Sequence, residues 1–329
     1  MSITAQSAAK TRKLDLGHHM NELSLLAGII VLYVVFASTA GGFMSFHNQI
    51  NILRDAATIG IAAWATTLII VAGEIDVSTG PMVAFISVIL AYMLQAGIPT
   101  VPAFVLALAL GAVLGAAAGA LRAFFDVPSF VATLGLWSAL RGIALFLTDA
   151  LPVSIGRNAI VDALDRPFLG VPPAAIIMLV LFALFLFVSR KTAFGRSVYA
   201  VGGNPQAAFL AGINVARIRV MVFVLGGLMA ALSGILLLSR LGSGNATAAS
   251  GLEFDVIAAV VVGGTSLSGG RGSMVGTLLG VLVITLIGNG LVLLGINPFI
   301  QQVVRGVIIV AAVLANIQAI KRSQLRRGG

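Results

Sequence analysis

The chain has 329 residues, 59% of them apolar and only 9% charged, with a mean hydropathy of +1.08, where an ordinary globular domain is about 45–50% apolar and about 25% charged, so its main solvent is lipid. The formal charge of +9 does not call for a nucleic-acid partner, because lysine and arginine gather in the cytoplasmic loops of membrane proteins. Cysteine is absent and His18, His19 and His47 have no spacing suited to a buried metal, so no disulfide framework, metal or other cofactor is expected on this chain.

The first 22 residues form a polar tail carrying Lys10, Arg12 and Lys13. The apolar run after it is too long for the h-region of a cleavable signal peptide and reads as a first anchor. A helix crossing the hydrocarbon core needs about 20 mostly apolar residues. Cutting the chain at charges, Gly/Pro clusters and polar loops gives ten candidate spans: 23–44, 56–72, 78–95, 101–121, 129–148, 173–189, 220–239, 254–264, 275–294 and 299–317. The eighth is too short to cross unaided and is expected to be broken or tilted. Long apolar runs with little alternation argue against a β-barrel, so the expectation is an all-α integral membrane protein. A transmembrane domain is expected at 23–319 and a basic C-terminal tail at 320–329.

Orientation follows from the basic residues. With both termini inside, only Arg54, Arg157, Arg166 and Arg240 fall outside, Arg141 and Arg305 lie within spans, and the other 14 of the 20 are cytoplasmic. That bias predicts an N-in, C-in topology.

Between the second and third spans stands Val71-Ala-Gly-Glu-Ile-Asp-Val-Ser-Thr-Gly80, two carboxylates among hydrocarbon. Asp76, Ser78 and Thr79 are N-cap types, and Gly80-Pro81 suits a helix start. One reading is a capped helix break. The other is that Glu74, Asp76 and Ser78 line a solute path, since intramembrane polar groups mark pathways or partners. Trp137 and Arg141 lie one helical turn apart in the fifth span, with Ser138 between them. Arg141 reads either as a path residue or as the partner of Asp76 or Glu74. Glu253 and Asp255 at the edge of the short eighth span, and Asn289 between two glycines in the ninth, complete the candidate path.

The longest inside stretch after the tail is the loop 190–219. In it Asn204-Pro205 starts a short helix and Gly212 stops it. Such a helix at the membrane face, presenting Phe194, Phe209 and small side chains, suits either docking into another protein's groove or resting on its own bundle. Further on, Leu267-Ser-Gly-Gly270 looks like an ATPase signature and Gly264 with Gly269 has the outer spacing of a phosphate loop. Gly270 and Arg271 stand where such a loop needs Lys followed by Ser or Thr, so the segment reads as a glycine-rich turn and the chain is not expected to bind ATP.

Three of these stretches carry a family resemblance. Phe194-Gly-Arg196 with Tyr199-Ala-Val-Gly-Gly-Asn-Pro205 and Ala208 through Gly212 resembles the coupling loop of permease subunits from ribose-type sugar ABC importers, the second carbohydrate-uptake family. Gly251-Leu-Glu-Phe-Asp-Val-Ile-Ala-Ala-Val260, followed by Val262-Gly-Gly-Thr-Ser-Leu-Ser-Gly-Gly-Arg-Gly272, resembles that family's second block. Residues 71–80 resemble its Gly-Ile-Asp-Leu-Ser-Val-Gly motif, with Glu74 in place of Gly and Val77 in place of Leu. The likeness runs over about 48–315. It implies a type II ABC importer permease that pairs with a second permease copy or paralogue. ATP and Mg would sit on separate ATPase subunits, which would touch Phe194, Gly195, Arg196, Gly202, Gly203, Asn204, Pro205, Ala208 and Gly212. A periplasmic sugar-binding protein would deliver a monosaccharide or related polyhydroxylated solute across the bacterial inner membrane by alternating access.

Two rival classes fit less well. A self-sufficient secondary transporter usually buries acids deep in several spans, whereas here they cluster at span edges apart from Glu74 and Asp76. A membrane-embedded enzyme needs a nucleophile, base or metal set that the sequence does not offer, so no enzymatic activity is expected.

Overall fold

A computed structural model describes residues 16–325. Its centre is α2 (Phe46–Val71), in which every residue from 59 to 71 is buried. A helix that is apolar all round must be enclosed. Enclosure comes from α7 (Pro173–Lys191), α10 (Val215–Leu241), α11 (Leu252–Val262) and α12 (Met274–Leu293). On the other side of α10 lie α3 (Thr79–Gln95) and α4 (Thr100–Phe124), and α5 (Ser129–Thr148) packs on α3 and α4. At the periphery, α1 (Leu16–Thr39) leans on α12, and α13 (Pro298–Leu325) leans on α11. Among the described residues, seven helices are long and apolar enough to cross a membrane, while α3 has 17 residues and α11 only 11. Three short helices, α6 (Ala159–Asp165), α8 (Ala193–Gly203) and α9 (Pro205–Leu210), lie between them. The described strands are a two-residue ladder pairing β1 (Val153–Ser154) with β2 (Ser243–Gly244). The protein is an all-α membrane protein.

Lipid gives apolar helices no hydrophobic reason to associate, so close backbone packing must supply the attraction. The seam between α4 and α10 shows how. Gly111, Gly115 and Gly119 recur every fourth residue on α4 and meet Gly227, Phe223 and Val220 of α10. A Cβ added at Gly115 would strike the Phe223 carbonyl, and one at Gly227 would strike that of Gly111.

Several boundaries differ from those expected. α2 starts at Phe46, ten residues before position 56, with the Ser45 side chain accepting from the Asn48 amide. Arg54 and Asp55 do not end the helix because each has an ionic partner, Asp165 at 3.3 Å and Arg240 at 2.6 Å. α1 ends at Thr39 rather than 44, and a turn with Gly42 at φ 77° leads into α2. The loop at 190–219 is itself helical, made of α8, α9 and the adjoining turns of α7 and α10. α13 runs past 317 to Leu325, into the expected tail. The remainder of the two tails, 1–15 and 326–329, lies outside the described residues.

Polar contacts sort the connecting segments into two ends. At one end Arg54 meets Asp165, Asp55 meets Arg240 and the β1–β2 ladder forms. At the other, Glu74 meets Arg122 and Arg219, and the Gly270 amide donates to the Val71 carbonyl at 2.8 Å.

The α4–α10 seam predicts that Gly115→Val lowers both the amount of protein in membranes and its melting temperature in detergent, since overpacking costs about 1–3 kcal/mol. Gly135, which has open space around it, should accept Ala without change. Equal melting temperatures for the two variants would contradict this packing account.

Candidate functional site

α2 ends inside the protein, and most amides of the break that follows find acceptors. Gly73, at φ 83°, donates to the Ile70 carbonyl at 2.9 Å, and the Glu74 amide donates to that of Ile69 at 3.1 Å. The Ile75 amide donates to Ser129 Oγ at 3.1 Å and the Val77 amide to Thr133 Oγ1 at 3.3 Å, both on α5. Asp76 Oδ1 accepts from the Ser78 amide at 2.8 Å and the Ser78 hydroxyl at 2.6 Å. Asp76 therefore closes an Asx turn ahead of α3, whereas Ser78, at the N-cap position, makes no cap bond of its own.

Glu74 is buried and has two cations. Arg122 Nε donates to both carboxylate oxygens, at 3.0 and 2.9 Å. Arg219 Nε lies 2.7 Å from Oε1, close enough for ionic attraction but without a hydrogen bond. The expected pairing with Arg141 does not occur. Arg141 Nη1 donates instead to the Ala246 carbonyl at 2.6 Å.

The segment after α7 is built by its caps. Thr192 Oγ1 accepts from the Gly195 amide at 3.1 Å, and Asn204 Oδ1 accepts from the Ala207 amide at 3.0 Å. Pro205 starts α9, and Gly212 at φ 82° ends the turn after it. Ala208 is buried, while Phe209 and Leu210 are 70% and 85% exposed and frame a concavity with Pro205, Gln206 and Val215. Arg196 is exposed, Phe194 is half-buried against the core, and Gly195 packs on the Val188 and Ser189 carbonyls. Of the adjacent glycines before Asn204, Gly203 has open space, whereas a Cβ at Gly202 would strike the Val71 carbonyl. Tyr199 Oη donates to the Gly272 carbonyl at 3.0 Å. Burial holds that phenol above its ordinary pKa.

A cavity of about 490 Å³ lies along the first half of α2, bounded also by α10, α11, α12 and α13. Asn48, Asn51, Asp55 and Thr58 face it from α2, Asp255 from α11, Thr285 and Asn289 from α12, and Gln301 and Arg305 from α13. Its charges are paired, Asp55 with Arg240 at 2.6 Å and Asp255 with Arg305 at 3.2 Å, so they sum to zero. Asn48 and Asn289 exchange amide bonds at 3.0 and 2.9 Å. Thr285 Oγ1 is buried with no hydrogen-bond partner among the described residues.

The candidate path therefore separates into several places. Only Asp255 and Asn289 reach the cavity. Glu253 stands two residues before Asp255 and is turned away from the cavity, where its Oε1 accepts from Trp137 Nε1 at 2.8 Å. Ser138 is exposed on α5, whereas Arg141 is half-buried against the Ala246 carbonyl. Of the α2 residues, Asn48, Asn51 and Asp55 precede position 56, where the expected span begins. The spacing of the α2 residues at 48, 51, 55 and 58 is a helical stripe that could have revealed them.

Comparison with known proteins agrees with this architecture. The family described as "Branched-chain amino acid transport system / permease component" matches residues 48–313. The probable ABC transporter permease protein YphD of Escherichia coli (strain K12) is 68% identical over 97% of this chain and 96% of its own length. The ribose import permease protein RbsC of Bacillus subtilis (strain 168) is 41% identical over 94% and 97% of the two chains. The xylose transport system permease protein XylH of Escherichia coli (strain K12) is 32% identical over 91% and 92%. No solved structure gives a significant match. The chain belongs to this permease family, within the group of ABC transporter permeases that contains the ribose-type proteins.

Proposed function

We propose that the chain is the membrane-spanning subunit of an ATP-driven importer that carries a monosaccharide or related polyhydroxylated solute into a bacterial cell. The observation that carries this reading is the cavity. Its volume of about 490 Å³ falls within the roughly 300–1,000 Å³ of small-molecule sites. Amides, hydroxyls and two neutralised ion pairs suit an uncharged solute rich in hydroxyls, and an unpaired charge that would favour an ion is missing from its described lining. The relatives named for ribose and xylose support the same solute class.

The remaining parts follow from chemistry at the two ends. Phe209 and Leu210 on α9 form the docking face for a separate ATPase subunit, which binds the ATP and Mg. The end bearing α8 and α9 is cytoplasmic, in a bundle of ten crossings with both termini inside, and a periplasmic binding protein delivers the solute at the opposite end. Polar side chains inside a membrane mark partners, so the α5 face with exposed Ser138 beside half-buried Arg141 meets a second permease copy rather than lipid. Nucleotide-driven closure of the ATPase then switches the cavity between its two openings, because only a state-dependent interaction can shift an equilibrium.

Three expected outcomes test this reading. In cells whose other sugar permeases are deleted, the chain with its partners restores uptake of at least one pentose or hexose from a labelled panel. Asp255→Asn then lowers that uptake by about tenfold or more, since hydrogen bonds to charged groups contribute about 1.5–3 kcal/mol. Normal uptake by a well-expressed Asp255→Asn protein would place the solute elsewhere. Asn204→Ala, which removes the α9 cap at a cost of about 0.5–2 kcal/mol, should reduce the ATPase recovered with the chain while the amount in membranes stays constant. Undiminished recovery would show that α9 is not the docking helix.

A further inference from the structure

The carboxylate of Glu74 is not needed to complete the break. The amides of residues 73–75, 77 and 78 find acceptors in carbonyls, Ser129, Thr133 and Asp76. A buried charge with no capping duty must be held by partners, and those partners come from two particular places. Arg122 stands in the last turn of α4, 21% exposed, and Arg219 stands one turn into α10, 15% exposed.

The position of Arg219 matters because α10 starts at Val215, directly after α9 ends at Leu210 and its turn closes at Gly212. Displacing α9 therefore pulls on the helix that carries Arg219. On the other flank of α9, the end of α8 lies backbone to backbone on the break. Gly202 leaves no room for a side chain beside Val71, and Gly269 is equally close to Gly73 and to the Gly202 carbonyl. The break is thus gripped from α8, before the docking helix, and from α10, after it. From the break α2 runs the length of the bundle to the cavity, where Asn48, Asn51 and Asp55 stand about 24–35 Å from Val71 at 1.5 Å per residue. The two grips differ in kind. The glycine contact is steric and fixed, whereas the ion cluster can rearrange, because Arg122 Nη1 also lies 3.6 Å from the exposed carboxylate of Asp126.

We propose that Glu74 is a positioning residue whose ionic link to Arg219 makes the break between α2 and α3 move with α9 and α10, delivering ATPase-driven displacement to α2 and so to the cavity. This rests on the importer reading, and it adds a function for an acid that stands where the resembling motif has glycine.

The test uses the permease–ATPase complex and reads the far end of α2. The chain has no cysteine, so Asn51→Cys supplies a single reporter in the cavity. Its labelling rate with a membrane-impermeant maleimide is compared between the nucleotide-free complex and one held with a non-hydrolysable ATP analogue. The wild-type background should show a nucleotide-dependent change. Adding Glu74→Gln or Arg219→Gln should shrink that change by about fivefold or more, with ATPase recovery unaltered, and Glu74→Asp should keep most of it. A full nucleotide response in both Gln variants would overturn the proposal. So would a Glu74→Asp response as poor as that of Glu74→Gln, or failure of both Gln variants to assemble, which would make the cluster a folding element. Absence of any nucleotide response in the wild-type background would instead contradict the importer reading on which the proposal stands.

Discussion

A helix that stops inside a membrane protein leaves carbonyls and amides that lipid cannot satisfy, each costing several kcal/mol. The break after Val71 is where this chain meets that constraint, and much of the bundle is arranged around it. α5 approaches with Ser129 and Thr133 in reach of the Ile75 and Val77 amides. The turn after α11 brings the Gly270 amide to the Val71 carbonyl. The end of α8 must be glycine to lie alongside. Asp76 serves the start of α3. A single interruption in one buried helix thus dictates the chemistry of four other segments.

The same interruption separates two kinds of environment along α2. Before it, the first half of the helix carries amides and a carboxylate toward a cavity whose charges cancel. After it, the chain enters a cluster in which two arginines share one buried carboxylate. A neutral polar cavity suits transient occupancy by a hydroxyl-rich solute, because groups already paired can exchange partners without stranding a charge. The charge cluster instead ties the break to α4 and α10 by ionic attraction. The proposed function and the proposed role of Glu74 thus place solute handling and force transmission at opposite ends of one helix.

Much of this was legible from residue types alone. The helix break, the short α11, the capped α9 and the glycine-rich turn at 263–272 all follow from local chemistry, and local chemistry is what a sequence displays. Partners distant in the chain are a different matter. Glu74 and Arg122 are 48 residues apart, and nothing in the spacing favours Arg122 over Arg141, whose guanidinium satisfies the Ala246 carbonyl instead. The start of α2 is hidden in the sequence for a related reason. Arg54 and Asp55 read as the edge of the membrane until Asp165 and Arg240 neutralise them, and with that edge the cavity-facing stripe was lost. Glu253 and Asp255 looked like one site because they are close in sequence, yet only Asp255 faces the cavity.

Whether solute movement is powered from outside the chain is the claim on which the whole account turns. The decisive measurement is uptake of a transported sugar into proteoliposomes containing this chain, with its ATPase and binding-protein partners added or omitted. The account predicts accumulation against a gradient only when the ATPase is present and ATP is supplied on the side bearing α8 and α9. Accumulation by the chain alone, driven by a proton or sodium gradient, would contradict it.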